Sequence, residues 1–491
     1  MIIIKNSNGV KIKQKYQEFF INYFFICVII IKRHPFIFII FMQIYLQNTL
    51  SGQKEKFGPI KEGEVSIYNC GPTVYDYAHI GNFRTFILDD ILRRVFEYNH
   101  YKVHQVMNIT DVDDKTIKKS QEEKINLKEL TRKYEGLFFE DLKSLNILTP
   151  HKTPRATENV KEMISFIEKL LEKNVAYKSS DGIYFDITKS DEYGNLANLN
   201  LENTAMERIA NDEYDKSNPR DFSLWKFHTD EDGKVFYDAP FGKGRPGWHI
   251  ECSAMSMHEL GETIDIHTGG QDLIFPHHTN EIAQSEGLTR KTFVNYWIHG
   301  GFITVDGKKM SKSLGNIFTL QTLKDRGVDP LAYRYFVLGT HYSSPLNFTW
   351  EAVEGTQIAL RKLKAFVSFL IEGETPRKEV MNDYEDKFKS HINDDLDTPK
   401  SLAYIWEIVK DNKISQDEKK YLILKFDQIL GLELNKKEVF EIPENVKELL
   451  KERSVARADK DFAKSDELRT KIEFFGFEVK DTEEGTFVSP K

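Results

Sequence analysis

The pattern of apolar and polar residues changes sharply near residue 42. Residues 19–31 are mostly apolar, residues 32–35 are charged or polar with a proline, and residues 36–42 are apolar again. Neither run reaches the roughly 18–20 residues that a membrane-spanning helix needs. From Met42 onward the pattern is that of a globular protein, which favours Met42 as the functional start. We therefore expect residues 1–41 to be an apolar extension outside the functional fold, with a membrane anchor or signal as the alternative.

The pattern after Met42 predicts a parallel sheet. Residues 64–69 (EVSIYN) have the character of a short strand, and a loop containing glycine and proline follows. Apolar residues then recur with a helical period over residues 83–98, and residues 103–109 form a second predicted strand. Strand, loop, helix and strand make a βαβ unit, which is typical of a nucleotide-binding sheet.

The remaining pattern extends this α/β domain and adds helical segments. Residues 174–218 mix short strands and turns like an insertion, residues 222–225 and 263–267 are strand-like, and residues 248–260 and 277–287 are helical in pattern. We predict a Rossmann-like parallel-sheet catalytic domain split by an insertion, then an α-helical bundle and a small C-terminal domain. The predicted segments are a first catalytic half at 42–125, an insertion at 126–220, a second half at 221–300, a loop region at 301–350, the bundle at 351–434 and the small domain at 444–491.

Composition limits the cellular compartment expected for the protein and the way in which it can bind nucleic acid. The 491 residues include 68 Lys+Arg and 76 Asp+Glu, a net charge of -8, which excludes nucleic-acid binding through bulk positive charge. A local basic face remains compatible with this balance. Only three cysteines occur, Cys27, Cys70 and Cys252, so a disulfide scaffold is excluded and a reducing, cytoplasmic compartment is expected.

Two of these cysteines belong to a candidate metal site. Cys70 ends the first predicted strand, and Cys252 lies on the predicted helix that begins GWHIEC. His277 and Glu281 are four residues apart on a predicted helix, so both project from one face. Thiolates favour Zn²⁺ over hard cations. The four residues are far apart in sequence, so buried structural cysteines remain the alternative, and His278 is a competing ligand.

The sequence HIGN, from His79 to Asn82, stands between a predicted strand and a predicted helix. The N-terminus of a helix offers free N–H groups and the positive end of the helix dipole, which suit phosphate. Gly81 lets a flat adenine approach the backbone, since it has no Cβ. His79 can donate a hydrogen bond to a phosphate oxygen. A capped helix start with a buried histidine is the alternative.

The sequence KMSKS, from Lys309 to Ser313, lies in a loop flanked by glycines. Lys309 and Lys312 can neutralise pyrophosphate as it leaves an α-phosphate, and stabilising charge that grows in the transition state accelerates the step. An ordinary solvated basic loop is the alternative. Two such signatures in this order, on either side of a split sheet, indicate ATP chemistry.

Together these stretches resemble a known family. HIGN and KMSKS resemble the signature pair of class I aminoacyl-tRNA synthetases. Longer stretches of the sequence resemble cysteinyl-tRNA synthetases, and the resemblance extends from Met42 nearly to the C-terminus. These stretches are YNCGPTVYDYAHIGN, NITDVDDK, NPRDFSLWK, GKGRPGWHIECSAM, HTGGQDLIFPHHTNE and VDGKKMSKSLGN. The resemblance implies ligation of L-cysteine to tRNA-Cys, through an adenylate made from ATP with Mg²⁺.

The resemblance also implies roles for individual residues. The zinc ligands, for one Zn²⁺ per subunit, would be Cys70, Cys252, His277 and Glu281. The cysteine pocket would be lined by Thr73 and Trp248, with His267 close to it. The residues of the ATP and adenylate site would be His79, Gly81, Asn82, Gly270, Asp272, Lys309 and Lys312.

Two positions depart from the family pattern. Asn82 stands where the signature has histidine, and Thr279 stands where the family often has glutamate. An asparagine side chain can still donate a hydrogen bond, and residue 279 is not a ligand position. We expect both changes to be tolerated.

The resemblance gives the C-terminal segments a function. Residues 301–350 would contact the tRNA stem, and residues 444–491 would bind the anticodon. We expect a monomer and no membrane partner.

One alternative function is that of a related ligase that transfers cysteine to an amino sugar. The helical bundle and the C-terminal tail argue against it. Another is a zinc-stabilised RNA-binding protein without catalysis, against which the KMSKS lysines and Asp272 argue.

Overall fold

The computed structural model describes residues 43–190, 192–199, 221–311, 314–370, 376–436, 443–482 and 485–490. The predictions for residues 1–41 and for Lys312 lie outside these ranges. No helix within them combines the length and the apolar character that crossing a bilayer requires.

The N-terminal part of the described chain forms the first half of a parallel sheet. It contains a hairpin of β1 (Tyr45–Asn48) and β2 (Gln53–Lys56), then β3 (Glu64–Asn69), α1 (Ile80–Tyr98) and β4 (Lys102–Met107). β3 pairs with β4 in parallel, with Glu64 opposite Lys102. Each strand is buried at four of its six positions, including its last three, as expected for strands covered on both faces at their carboxyl ends. The predicted βαβ unit is confirmed.

An insertion with its own core follows β4. Its helices are α2 (Asp114–Glu123), α3 (Leu127–Ser144) and α4 (Val160–Glu172), and its strands are β5 (Ala176–Lys178), β6 (Gly182–Phe185), β7 (Phe222–Phe227) and β8 (Gly244–Pro246). These strands form an antiparallel sheet in the order β5-β6-β7-β8. The assignment of residue 222 onward to the parallel sheet is wrong, because β7 pairs with β6 instead.

The chain then returns to the parallel sheet. The elements are α5 (Trp248–Leu260), β9 (Ile264–Gly270), α6 (Thr279–Thr289) and β10 (Val294–Gly300), and the turn over Ile274–His278 before α6 is kinked at Phe275, whose backbone is extended. The strand order is β10-β9-β3-β4, and all neighbours are parallel. The connections from β3 and β9 leave toward opposite edges. Ligand sites in such sheets lie at this switch point, outside the carboxyl ends of the strands.

The segment after β10 carries the KMSKS signature and leads into helices. A small sheet of β11 (Ile303–Val305), β12 (Lys308–Lys309) and β13 (Leu346–Phe348) is interrupted by α7 (Leu320–Asp325) and α8 (Pro330–Leu338). The predicted helical bundle contains α9 (Trp350–Phe369), α10 (Lys378–Ile392), α11 (Thr398–Lys410) and α12 (Gln416–Leu430). Buried Arg334 of α8 pairs with Asp90 of α1 at 2.5 Å, which ties this region to the sheet.

The small C-terminal domain consists of α13 (Glu444–Ala458), α14 (Phe462–Phe474) and a hairpin of β14 (Phe477–Thr482) and β15 (Gly485–Pro490). Its core is Val446, Ile472 and Val479. Arg453 is 1% exposed and donates to both carboxylate oxygens of Asp481, at 2.9 and 2.6 Å. This pair fastens the hairpin to α13.

Candidate active site

The four predicted metal ligands meet at the switch point of the parallel sheet. Cys70 directly follows β3, Cys252 lies on α5, and His277 and Glu281 lie at the turn into α6. The Cys70 Sγ is 3.9 Å from the Cys252 Sγ and 3.9 Å from the Glu281 Oε1. The His277 Nε2 is 3.1 Å from the same Glu281 Oε1. All four side chains are buried, and their ligand atoms lie within 4.8 Å of one another.

These distances fit a tetrahedral metal ion. A disulfide would require the sulfurs to lie about 2.05 Å apart, whereas Cys70 and Cys252 are 3.9 Å apart. Two ligands on a tetrahedron with Zn–S bonds of about 2.3 Å are separated by about 3.8 Å. Two thiols, one imidazole and one carboxylate are also groups that Zn²⁺ accepts. The residues therefore fit zinc in both kind and spacing.

A second set of possible ligands overlaps the first. The ligand atoms of a second set also lie within 4.8 Å of one another, and this set consists of Cys70, His267, His278 and Glu281. The His278 Nε2 is 3.3 Å from the Cys70 Sγ, closer than the sulfur of Cys252. The other nitrogen of His278, Nδ1, faces the His299 Nε2 at 2.7 Å. His278 thus remains a competing ligand, although the set with two sulfurs suits zinc better.

The titratable groups of the cluster are buried and interact strongly with one another. A hydrogen bond from the Cys70 thiol lowers the pKa of Cys252 to about 6, whereas burial raises the pKa of Cys70 well above its usual value. Burial alone would raise the pKa of Glu281, but charges on His267 and His277 lower it to about 2. For His277, burial opposes protonation, yet the charges on Glu281 and Cys252 raise the pKa to about 10. Cys252 and Glu281 thus favour their anionic forms beside a protonated His277, which must lose its proton before it can bind a metal ion.

Two of the residues predicted for the cysteine pocket, Trp248 and His267, contact members of this cluster. The Trp248 ring lies 4.2 Å from the His277 ring and is 41% exposed, so it separates the cluster from solvent. The His267 Nε2 lies 3.0 Å from the Glu281 Oε2, and its ring stacks on Trp297. Thr73 lies in the loop after Cys70 and forms a bridge with Thr110 at the end of the neighbouring strand.

The HIGN signature forms the N-terminus of α1. The His79 Nδ1 accepts from the Asn82 backbone N–H at 3.2 Å, and the Asn82 Oδ1 accepts from the His79 backbone N–H at 3.0 Å. This reciprocal pair is a capping box, which leaves the amide nitrogen of the Asn82 side chain as a donor. A Cβ on Gly81 would lie 2.5 Å from the Met310 Cε. The space above Gly81 thus holds a side chain of the KMSKS signature.

Backbone contacts join the HIGN signature to the segment that follows KMSKS. Ile80 N–H donates to the Phe318 carbonyl at 2.8 Å, and His79 forms a bridge with Thr319. Lys309 is exposed, and the Asn316 side chain holds its carbonyl at 3.2 Å. Lys312 lies outside the described residues. Asp272 is exposed beside Gly270, and its charge acts on His79, whose pKa burial lowers.

Several buried polar residues near the site were not predicted from the sequence. Asp89, in the middle of α1, accepts from the Thr268 hydroxyl at 2.5 Å, and burial raises the pKa of Asp89 to about 7. The His249 Nδ1 faces the His277 Nδ1 at 2.9 Å and orients that ligand. Arg84 donates to the carbonyls of Phe302 and Tyr342. For Arg84 and Asp89, the sequence signal was the presence of charged residues on the apolar face of α1.

Models of known protein families match this chain. A split parallel sheet whose carboxyl edge carries joined HIGN and KMSKS loops defines a class I tRNA synthetase, and residues 56–358 match the family model for the tRNA synthetases class I (C) catalytic domain. Residues 441–488 match the model for the cysteinyl-tRNA ligase anticodon binding domain. The chain therefore belongs to the cysteine–tRNA ligase family.

Curated relatives agree with this assignment over most of the chain. The cysteine–tRNA ligase of Protochlamydia amoebophila is 45% identical over 461 residues, which cover 90% of this chain and 96% of the relative. The corresponding ligase of Brachyspira hyodysenteriae is 44% identical over 465 residues, covering 90% of this chain and 98% of the relative. Methionyl-tRNA synthetase of Mycobacterium tuberculosis, solved with methionyl-adenylate, shares the fold at a TM-score of 0.54 and 13% identity, covering 75% of this chain and 90% of that chain.

Proposed function

We propose that the protein ligates L-cysteine to tRNA-Cys in two steps. The cysteine carboxylate first attacks the α-phosphate of ATP, forming cysteinyl-adenylate and releasing pyrophosphate. The 3′-terminal ribose hydroxyl of the tRNA then attacks the cysteinyl carbonyl, and AMP leaves. The observation that carries the proposal is the position of Cys70, Cys252, His277 and Glu281 beside the HIGN helix, at the switch point of the sheet.

The protein needs no nucleophile of its own for this chemistry, because both attacking oxygens belong to the substrates. Catalysis then consists of positioning and of charge stabilisation. The N–H groups at the start of α1 and His79 would bind phosphate oxygens. Lys309, together with Lys312, would neutralise the leaving pyrophosphate, with Mg²⁺ accompanying ATP. Gly270 and Asp272 would bind the adenosine.

The substrate side chain would be selected next to the buried cluster. Cys70, Cys252, His277 and Glu281 would hold one Zn²⁺ per subunit. Bound there, zinc would supply a soft Lewis acid that prefers a thiolate to the hydroxyl of serine. Thr73 and Trp248 would close the pocket around the cysteine, and His267 would hold Glu281 in place through its 3.0 Å contact.

The cysteine-charging reaction itself is the direct test. Wild-type protein, incubated with ATP, Mg²⁺ and radiolabelled cysteine, is expected to charge a tRNA-Cys transcript, and not a tRNA with another anticodon. Absence of charging would reject the proposal.

The same preparation, analysed by sedimentation, tests the expectation of a monomer. The two buried thiols support a reducing, cytoplasmic compartment, which localising the native protein tests.

A further inference from the structure

An exposed tyrosine stands beside the HIGN helix. Tyr77 is 51% exposed and lies two residues before His79. Its ring meets the ring of Tyr134, on α3, edge to face at a centroid distance of 5.6 Å and an interplanar angle of 86°. Tyr134 is 5% exposed and belongs to the main core, so it gives Tyr77 a firm support. Among the residues that the structure describes, Tyr134 is the ring recorded against Tyr77, and half of the Tyr77 surface remains exposed.

The loop that carries Tyr77 is fixed by its backbone. Val74 N–H donates to the Thr110 carbonyl at 3.1 Å, which ties the loop to the end of β4. Tyr77 N–H donates to the Asp76 carboxylate at 2.9 Å. The next backbone contact along the chain is the bridge from His79 to Thr319. The tyrosine ring is therefore presented from a restrained loop at the mouth of the ATP site.

Two lysines lie over tyrosine rings that neighbour Tyr77. The Lys133 Nζ lies 4.9 Å from the centre of the Tyr134 ring, and the Lys115 Nζ lies 5.7 Å from the centre of the Tyr75 ring. The nearby carboxylates are Asp76, bonded as above, and Glu123. Glu123 is paired with Lys119 at 3.2 Å and with Lys133 at 3.7 Å. Aromatic faces among cations are the pattern that binds single-stranded nucleic acid.

We propose that Tyr77 stacks on an unpaired base at the 3′ end of the tRNA and positions that end for transfer. This role rests on the proposed ligase function and adds a positioning residue to its second step. The terminal ribose must reach an adenylate bound at the HIGN helix, so the unpaired nucleotides before it must pass the mouth of this site. Stacking on an aromatic ring holds such nucleotides without reading their sequence.

The test separates the two chemical steps in the full-length protein. Tyr77→Ala, Tyr77→Phe and, as a matched control, Tyr45→Ala are compared; Tyr45 is 41% exposed on β1, outside the site. Cysteine-dependent ATP–pyrophosphate exchange without tRNA reports the first step. Single-turnover transfer from preformed cysteinyl-adenylate reports the second. Binding of tRNA-Cys with and without its unpaired 3′ nucleotides reports the contact itself.

Tyr77→Ala is expected to slow transfer about 10-fold, to leave exchange within about twofold, and to reduce the binding advantage of the intact 3′ end. Tyr77→Phe and Tyr45→Ala are expected to behave as wild type. Unchanged transfer in Tyr77→Ala, an equal loss of exchange, or an equal defect in Tyr77→Phe would each overturn the stacking role. Failure of the wild type to exchange pyrophosphate with cysteine would instead reject the proposed function.

Discussion

The Cys70 and Cys252 sulfurs, which belong to different halves of a split sheet, lie 3.9 Å apart. This separation is too long for a disulfide and close to the spacing of two ligands on one tetrahedral metal ion. Because Cys70 follows β3 and Cys252 lies on α5, the metal would hold the two halves of the catalytic domain together.

The first prediction concerns the sulfur ligands. Cys252→Ser removes a thiolate whose hydrogen bond and low pKa make it the readier of the two sulfurs to bind a cation. We expect the purified variant to lose most of its zinc, measured by plasma mass spectrometry against one equivalent in the wild type. Ser253→Ala, at the neighbouring buried position, is the matched control. Full zinc occupancy in Cys252→Ser would contradict the ligand role of this residue.

The second prediction decides between the two overlapping ligand sets. If the set with two sulfurs binds zinc, His277→Gln is expected to lower zinc occupancy strongly, and His278→Gln is expected to retain it. The reason is that His277 is held by Glu281 at 3.1 Å, whereas His278 lies 4.0 Å from the same oxygen and faces His299. The reverse order of zinc loss would favour the set that includes His267 and His278.

The third prediction tests the contact between the two signatures. Gly81→Ala places a methyl group 2.5 Å from the Met310 Cε and 3.1 Å from the His79 ring, so these side chains must shift beside the proposed ATP site. We expect the KM for ATP in pyrophosphate exchange to rise about 10-fold, which corresponds to about 1.4 kcal/mol. Adding Met310→Ala is expected to recover part of this loss. If Gly81→Ala leaves the KM unchanged, the close approach at Gly81 has no role in ATP binding.

The fourth prediction concerns acid stability of the C-terminal domain. Hydrogen bonds from Arg453 lower the pKa of Asp481 to about 2, below the usual value of 3.8. Since the folded state then binds fewer protons than the unfolded state, the stabilisation is complete above about pH 4 and is lost as the pH falls toward 2. Asp481→Asn is expected to cost about 1 kcal/mol at pH 7, because solvent screens this partly exposed carboxylate.

Hydrogen exchange of the amides in α13 and α14 measures this effect locally. After correction for intrinsic exchange, amide protection in the wild type is expected to fall between pH 4 and pH 2. In Asp481→Asn, amide protection is expected to be low at every pH. Lys471→Gln removes an exposed ion pair with Glu467 and serves as the control, because such pairs contribute little. Equal protection in Asp481→Asn and wild type would reject the fastening role of the pair.

The fifth prediction separates tRNA recognition from activation. Deleting residues 444–491 removes the domain that matches the anticodon-binding model. We expect tRNA-Cys charging to fall at least 10-fold through a higher KM for tRNA, because phosphate and base contacts distant from the chemistry are lost. Pyrophosphate exchange is expected to stay within about twofold of the wild type. Equal loss of both activities would indicate that the domain is needed for folding.

Much of this fold follows from local pattern. The strand Glu64–Asn69 and the helix Trp248–Leu260 have the predicted bounds, and the helix stands between two capping glycines, Gly247 and Gly261. β7 was assigned to the wrong sheet, since a short apolar strand has the same pattern whichever partner it pairs with. Spacing alone left the metal ligands open, and the resemblance to a family selected them.

Other features of the site depend on tertiary contacts that no local pattern encodes. The approach of His278 to Cys70 depends on the tight turn over Ile274–His278. The packing of Met310 over Gly81 joins two loops that are distant in sequence. Asn82, which departs from the signature, is explained by the structure, because its Oδ1 accepts the His79 N–H and completes the helix cap.

Discrimination between cysteine and serine tests the central claim most directly. Wild-type protein is assayed for ATP–pyrophosphate exchange with each amino acid, and the two kcat/KM values are compared. Shape alone would separate such similar side chains by only about 10- to 200-fold. Selection of the thiol at the Cys70–Cys252–His277–Glu281 cluster predicts a ratio well above this range, with a sharp fall in Cys252→Ser. Similar exchange with both amino acids in the wild type would contradict the proposal.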